Sequence, residues 1–461
     1  MLALLTALLI VTPHPVQDEV EPETQEEFIF DDGLDDLLSG DWVGGAEGEA
    51  LKEPSMLRSW KGFLEFRSKL YTAGNAPGNE TEYVLEGELE LDFDLADRTT
   101  AYLRPRVRVS LRDSDANEFE PFEGYVTYSE SNWDLRAGQF VENWGIADTY
   151  NPIDVLNRRD LKSDFLDADR LGELGVRWRQ FMEGNRTFGE PTLSLYVLPV
   201  FRRTPFPSDQ SRFSLSGLGM TFDEDAGLAP HGTEGVLYAT RLQSTLQSRL
   251  ANADLQLLVA RGPEHMPVVV PVGGKLVPVY FGTTTIGGGI RLVPNSAALG
   301  DFLSTLTLKA EVAFKNPYNF DNSPLATPSN YLQYVLGVDR LFPNLFISGD
   351  QLTTTVEYVG ETGARDTDAA AALRAFRSDF VLRGFWEQND FSRTSLEARA
   401  ILDTQLSERV YEVIYEQQLR ALHEDLKLIC SLQVFNASDT QGLFSALPNN
   451  TNGTVTLRFE R

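Results

Sequence analysis

Two runs of alternating charge are the residues best placed to do chemistry in this 461-residue sequence. Glu86, Glu88, Glu90 and Asp92 take every second position of one segment, and Arg104, Arg106 and Arg108 every second position of the next. On an extended chain, residues two apart share a face. Carboxylates on one such face and guanidiniums on its neighbour make an electrostatic lining that steers ions and polar solutes. A third group, Arg158, Arg159 and Asp160, places both signs side by side. Groups that break bonds are sparse. His14, His231, His265 and His423 show no metal-site or triad spacing, and neither an H-E-x-x-H nor a G-x-S-x-G motif is present. His231, near Asp223 and Asp225, is the one acid–base candidate, and its polar link favours a solvated histidine. Asp164, Asp167 and Asp169 offer oxygen ligands but not the spacing of a calcium loop, so a solvated acidic patch is favoured. The single cysteine forms no internal disulfide and no thiolate cluster. The expectation is a protein that is not an enzyme and uses no cofactor and no metal.

The net charge of −28 makes nucleic acid an unsuitable partner. It is unevenly spread. Residues 1–51 hold no Lys or Arg, and 17–50 hold 13 acidic residues. Met1–Val11 is apolar except for Thr6, the length of a signal-peptide core, although a basic start and a small-residue cleavage site are missing. Residues 1–16 therefore read as a signal peptide, and 17–57 as an acidic, mostly disordered periplasmic tail. Residues 17–50 are the candidate ligand for a periplasmic protein partner.

The elements that position the charges follow from period-two patterning. In Glu82–Leu95 the odd positions are mainly apolar and the even ones mainly acidic; in 101–112 the odd positions are apolar and the even ones largely Arg. Only 96–99 separate the two, so they form an antiparallel hairpin. Apolar faces coincide only if paired numbers sum to an even value. A sum of 196 pairs Asp92 with Arg104, Glu90 with Arg106 and Glu88 with Arg108, and a sum of 194 pairs Glu90 with Arg104 and Glu88 with Arg106; either gives a ladder of opposite charges. About 18 such segments recur from Trp60 to Glu460, Leu276–Val293 among them, most of them 9–15 residues long. That exceeds the five or six residues usual in globular sheets and matches a tilted membrane strand. Short links such as 129–132 and 389–391 alternate with long ones such as 143–171, 202–234 and 262–275. Short turns on one side and long loops on the other are the plan of an outer-membrane barrel. The expected fold is all-β, a transmembrane antiparallel up-and-down barrel of about 16–18 strands over residues 58–461, embedded in outer-membrane lipid. Arg212–Phe222 is a candidate extra strand that would shift the topology.

Counted from a periplasmic N-terminus, 143–171 is the third external loop, a candidate constriction or plug folded into the barrel. Trp144-Gly145 allows a sharp exit from the strand, and Asn151-Pro152 favours a turn. Together with Asp148, Asp154, Asn157 and Arg158-Arg159-Asp160, this stretch resembles a motif of a poorly characterised, porin-like family of Gram-negative outer-membrane barrels. The resemblance covers about 25 of the 461 residues. It implies a channel for passive or facilitated passage of small solutes. A plugged barrel anchoring a periplasmic or surface assembly through its acidic tail, and a conduit for lipid or hydrophobic compounds, remain alternatives. As an eyelet, the loop would face Arg104, Arg106 and Arg108 across a transverse field; as a plug, its arginines would pair with Glu86, Glu88 and Glu90.

Overall fold

The computed structural model describes residues 56–72, 80–162, 166–214, 221–295, 303, 305–320, 326–363, 376–405, 408–437 and 450–461. The signal peptide and all but the last two residues of the tail expected at 17–57 lie outside them.

Among the described residues the chain runs β1 (Leu57–Tyr71), β2 (Thr81–Ala96), β3 (Thr99–Ser110), β4 (Glu118–Ser129), β5 (Trp133–Phe140), β6 (Glu173–Phe181), β7 (Thr192–Leu198), β8 (Thr221–Phe222), β9 (Leu237–Gln247), β10 (Ala251–Pro263), β11 (Val268–Val272) and β12 (Lys275–Val279). It continues with β13 (Gly282–Pro294), β14 (Leu306–Tyr318), β15 (Tyr331–Pro343), β16 (Asp350–Thr362), β17 (Ser378–Gln388), β18 (Ser395–Asp403), β19 (Glu408–Gln418), β20 (Leu426–Ala437) and β21 (Asn452–Glu460). Eighteen of these form one sheet in which each strand pairs antiparallel with its neighbours, and β21 pairs back onto β1. Closure leaves no edge whose N–H and C=O groups would need water, which is what lets a sheet cross lipid.

Alternation sorts the side chains. In β1, Leu64, Phe66 and Leu70 are exposed on the outer face, while Glu65 and Lys69 are buried on the inner one. The same holds for Leu336 against Gln333 in β15 and for Val356 against Glu357 in β16. An outer wall of exposed Leu, Val and Phe is an unstable surface in water and a suitable one in hydrocarbon. Tyr334, Tyr358 and Phe380 meet ring to ring across β15–β17, each pair tilted by 50°, with centroids 6.1 and 5.0 Å apart.

The β2–β3 ladder adopts the sum of 194: Glu86 faces Arg108 and Glu88 faces Arg106. Two expectations change. Leu276–Val293 is not one strand: β12 ends at Val279 and belongs to a separate three-stranded sheet, where it pairs with β11 across the positive-φ turn Gly273-Gly274, and the barrel strand β13 begins at Gly282. Of Arg212–Phe222, the described residues add no strand to the barrel: 212–214 are irregular, β8 pairs with β12 instead, and 215–220 lie outside the described residues.

Candidate functional site: the in-folded loop and the lumen wall

The link between β5 and β6, residues 141–172, lies against the inner wall. Asn157 fixes its two ends together. Its side-chain amide donates to Phe140 O (3.2 Å) and Leu171 O (2.9 Å) and accepts from Glu142 N (2.9 Å). Between these ends the chain doubles back, with Asp160 N bonded to Asp169 O at 2.8 Å and Leu171 N to Arg158 O at 2.9 Å.

One side of the loop is apolar and docks on an apolar patch of the wall. Trp144, Ile153 and Leu156 are at most 1% exposed and pack with Tyr196 and Leu198 of β7, Leu237 and Ala239 of β9, Leu258 and Ala260 of β10, and Ala313 of β14. Trp144 sits edge-on to Tyr196 at 5.1 Å. Burial on this scale is worth about 1.5–3 kcal/mol per large side chain. Gly287 and Gly289 of β13 give the loop room: a Cβ there would stand 2.9 Å from Ile153 Cγ2 and 2.8 Å from Ile146 Cδ1.

Next to that patch, two wall carboxylates hold loop backbone. Glu311 accepts from Ile146 N and, at 2.8 Å, from Ala147 N. Glu357 accepts from Asp148 N (2.8 Å) and Thr149 N (3.0 Å). Lys309 pairs with the Asp148 carboxylate at 2.7 Å. Burial raises the Tyr150 phenol above its ordinary range, so it stays protonated and donates to Gln333 at 3.1 Å. These anchors stand more than 150 residues along the chain from the loop and were not identified from sequence. Their only sequence signal is charge on the inner-face parity of two strands, Lys309, Glu311 and Lys315 in β14 and Glu357 and Glu361 in β16.

The returning arm, 158–171, carries the charges. Asp154, with its carboxylate 1% exposed, pairs with Arg159 and Arg170, each at 2.6 Å. Burial and the like charge of Arg170 draw Arg159 below the usual arginine range, but a guanidinium is not deprotonated in a protein, so the cluster stays ionic. Arg158 reaches Glu120 (2.7 Å) and Glu173 (3.0 Å). The loop arginines therefore do not pair with Glu86, Glu88 or Glu90, because wall arginines already occupy those carboxylates or the loop's own acids are nearer. Glu86 accepts from Arg106 and Arg108, Glu88 from Arg104 (2.7 Å), and Glu90 meets Lys61 (3.1 Å) and the Tyr102 hydroxyl (2.8 Å). The wall arginines instead reach the loop's acids: Arg108 with Asp160 and Arg106 with Asp169, each at 2.8 Å, and Arg399 of β18 with Asp167 at 2.5 Å. Arg104 and Asp92 do not meet the loop; Asp92 bonds Ser59 at 3.1 Å. Trp144, Asp148, Asn151, Pro152 and Asp154 all belong to the docked arm. Of the acids weighed as calcium ligands, Asp167 and Asp169 are struts to the wall and Asp164 lies outside the described residues. No cluster of potential metal ligands occurs among the described residues.

The apolar part of the docking is one-sided, ion pairs tie the loop to β3, β4 and β18 as well, and the space left over is polar. A cavity of about 660 Å³ lies between 143–151 and β9, β10 and β13, with Arg241, Asp254 and Arg291 among its walls. A second, of about 430 Å³, runs beside Asp167 and Asp169 along β19–β21, β1 and β3, lined by Arg67, Arg104, Arg106, Glu412 and Arg458. Asp167 and Asp169 keep about half their side chains exposed there. Asp167→Asn with Asp169→Asn removes two negative charges from this space and leaves Arg399 and Arg106 facing it. The expected outcome is a severalfold shift toward anions in the permeability ratio, read as the sign of the reversal potential in a KCl gradient.

No protein-family model matches the sequence, and no curated protein matches it. Solved structures do. A BenF-like porin from Pseudomonas fluorescens Pf-5 aligns with a TM-score of 0.52 at 10% identity, over 87% of this chain and 98% of that one. Pseudomonas aeruginosa OccK2 (OpdF), solved in complex with glucuronate, aligns with a TM-score of 0.48 at 10% identity, over 88% and 97%. Pseudomonas aeruginosa OccK11 (OpdR) aligns with a TM-score of 0.47 at 8% identity, over 87% and 95%. At such identity the likeness is one of fold. With the closed 18-strand sheet and its apolar outer wall, the likeness to the BenF-like porin makes the chain a porin-like β-barrel of the outer-membrane type.

Proposed function

We propose that the barrel is a channel for small polar solutes and that loop 141–172 sets its bore. The observation that carries this reading is the asymmetry of the apolar docking. Apolar contacts hold the loop to β7–β14, and the face of β19–β21, β1 and β3 keeps a polar, charge-lined space beside it. In this reading Arg106, Arg108, Asp160, Asp167, Asp169 and Arg399 form the charged rim. Glu86, Glu88, Glu90, Asp92 and Arg104 line the wall, and Arg158 and Arg159 hold the arm in shape. Solute passage is driven by concentration alone and needs no cofactor. Proteoliposomes holding the purified barrel should swell in isotonic solutions of small sugars and amino acids, with rates that fall as solute size rises. Absence of swelling in a folded preparation, one whose gel mobility changes on boiling, would contradict the channel.

The core-like packing of Trp144, Ile153 and Leu156 favours a second reading, a permanently plugged barrel that anchors an assembly. There the acidic residues 17–50 are the ligand for a periplasmic partner. Deleting them should abolish partner capture and leave barrel folding unchanged.

A further inference from the structure

We infer that the barrel holds a site for one hydrogen phosphate ion where the in-folded loop, the wall strands β1–β3 and the link that follows β7 meet. This deepens the channel reading by naming an anion among its solutes, and it rests on that reading for any part in transport. The site is a cavity of about 50 Å³, bounded by the ends of β1 and β3, the start of β2, Lys162 of the loop and link residues between 207 and 211. The link is fixed to the wall there. Ser208 donates to the Asp113 carboxylate, Arg212 donates to Thr72 O at 3.2 Å, and Phe213 packs edge-on to Tyr71 at 6.3 Å. A water-sized group needs about 10–15 Å³ of such space, so the cavity takes about four of them, the oxygens of one tetrahedral ion.

Five of the seven charged side chains lining the cavity are basic. Arg67 and Arg108 are matched by Glu65, Glu86 and Asp160, none of which lines the cavity itself. The other three, Lys69, Arg112 and Lys162, have no carboxylate within ion-pair distance among the described residues. Lys69 lies 5.7 Å over the Phe213 ring and Arg112 5.4 Å over the Tyr83 ring, contacts that orient a cation without neutralising it. Lys69 is 8% exposed, and a buried ammonium without a counter-ion is costly. It lines both this cavity and the one of 430 Å³. Two hydroxyls add donors. Ser110 Oγ accepts from Asp113 N (3.1 Å) and Ser211 Oγ from Phe213 N (3.2 Å), which leaves each hydroxyl hydrogen to donate.

The two carboxylates in the lining, Glu82 and Asp113, decide which oxyanion fits. Asp113 is occupied, accepting from Asp115 N at 3.1 Å and from the Ser208 hydroxyl. Glu82 accepts from the Tyr71 hydroxyl at 3.1 Å and keeps further lone pairs. Sulfate offers acceptors only and would be repelled by Glu82. Hydrogen phosphate keeps a proton near neutral pH. Its oxygens accept from Lys69, Lys162 and the serine hydroxyls while its O–H donates to Glu82. A carboxylate ligand brings two oxygens for these donors and no proton for Glu82, so it fits less well.

The test is calorimetric titration of the full-length barrel in detergent, at low ionic strength and neutral pH, with inorganic phosphate, sulfate, acetate and glucose 6-phosphate. Phosphate should bind saturably and about tenfold more tightly than each of the others. Absence of saturable phosphate binding would overturn the site. Sulfate or acetate binding as tight as phosphate would overturn the role given to the proton, and glucose 6-phosphate binding as tight would overturn the assignment to the free ion. Lys69→Met keeps the stem over Phe213 and removes the charge, and should weaken phosphate about tenfold. Because Lys69 is buried, the exposed Arg112→Gln is the second charge removal, with a loss of about threefold expected. Unchanged affinity in both, with heat-modifiable migration kept, would overturn the cation cluster. Glu82→Gln should bring sulfate to within about twofold of phosphate, and an unchanged preference would overturn the part given to Glu82. Conductance of the same preparations separates the two proposals. A barrel that binds phosphate and passes no current keeps the site and loses the channel; one that conducts and binds no phosphate loses the site alone.

Discussion

Replacing Glu311 and Glu357 together with alanine should raise single-channel conductance severalfold. The two carboxylates accept from four consecutive backbone N–H groups, those of Ile146, Ala147, Asp148 and Thr149. Hydrogen bonds to a charged partner contribute about 1.5–3 kcal/mol each, and a donor left buried without one costs a similar amount. Removing both acceptors makes the docked position of 146–149 unfavourable by several kcal/mol, enough to release that arm. The strand ladders do not involve these side chains, so the barrel should still form. Glu311→Gln with Glu357→Gln keeps an acceptor oxygen at each site and removes the charge, and should give an intermediate conductance. Identical conductance in native, Gln and Ala forms would show that this arm does not limit the bore.

The second large effect is on folding. Gly138 of β5 has φ +136, a region that side chains rarely adopt, and a Cβ there would meet the carbonyl of Gly124 and stand 2.6 Å from Tyr125 Cα. Both obstacles are backbone of the adjacent strand β4 and have no rotamer to change. Strain of this kind costs about 1–3 kcal/mol before the clash is added. Gly138→Ala should therefore lower the melting temperature by many degrees or prevent the heat-modifiable form from appearing. Gly124→Ala is the control: it lies in the facing strand, and its Cβ would meet only Leu103 Cδ1 at 3.4 Å, so little change is expected. Equal stability of the two variants would remove the structural reason offered for Gly138.

How much of this was legible in the sequence depends on which geometric quantity is asked for. Parity assigns each residue of a strand to one of two faces, which is why Glu86, Glu88, Arg106 and Arg108 fall on the inner wall in one of the two registers anticipated. Counting strands likewise made 143–171 the third external loop, and the structure has a long link between β5 and β6 at 141–172. Position around the barrel is a different matter. Whether Glu311 or Arg399 lies across from a given loop residue depends on closure and on how deep the loop sits, and no local pattern encodes either. The apolar inner patch of Tyr196, Leu198, Leu258 and Ala260 reads in sequence as part of an ordinary strand, although it decides which wall the loop leans on. Arg158 and Arg159 show the same limit. Their charge was evident, but their partners are Glu120, Glu173 and Asp154, set by the path of the returning arm.

The charge of −28 is reinterpreted accordingly. Of it, −13 lies in residues 17–50. In the barrel, many acids and arginines meet on the inner wall and along the folded-in arm, while the outer face presents Leu, Val and Phe. A composition that suits a soluble acidic protein is here distributed for a membrane.

The central claim is that the loop narrows the lumen without closing it. Reconstitution of the native, heat-modifiable protein in a planar bilayer tests it most directly. The account predicts steady, ohmic single-channel steps; native barrels that insert and pass no current would contradict it.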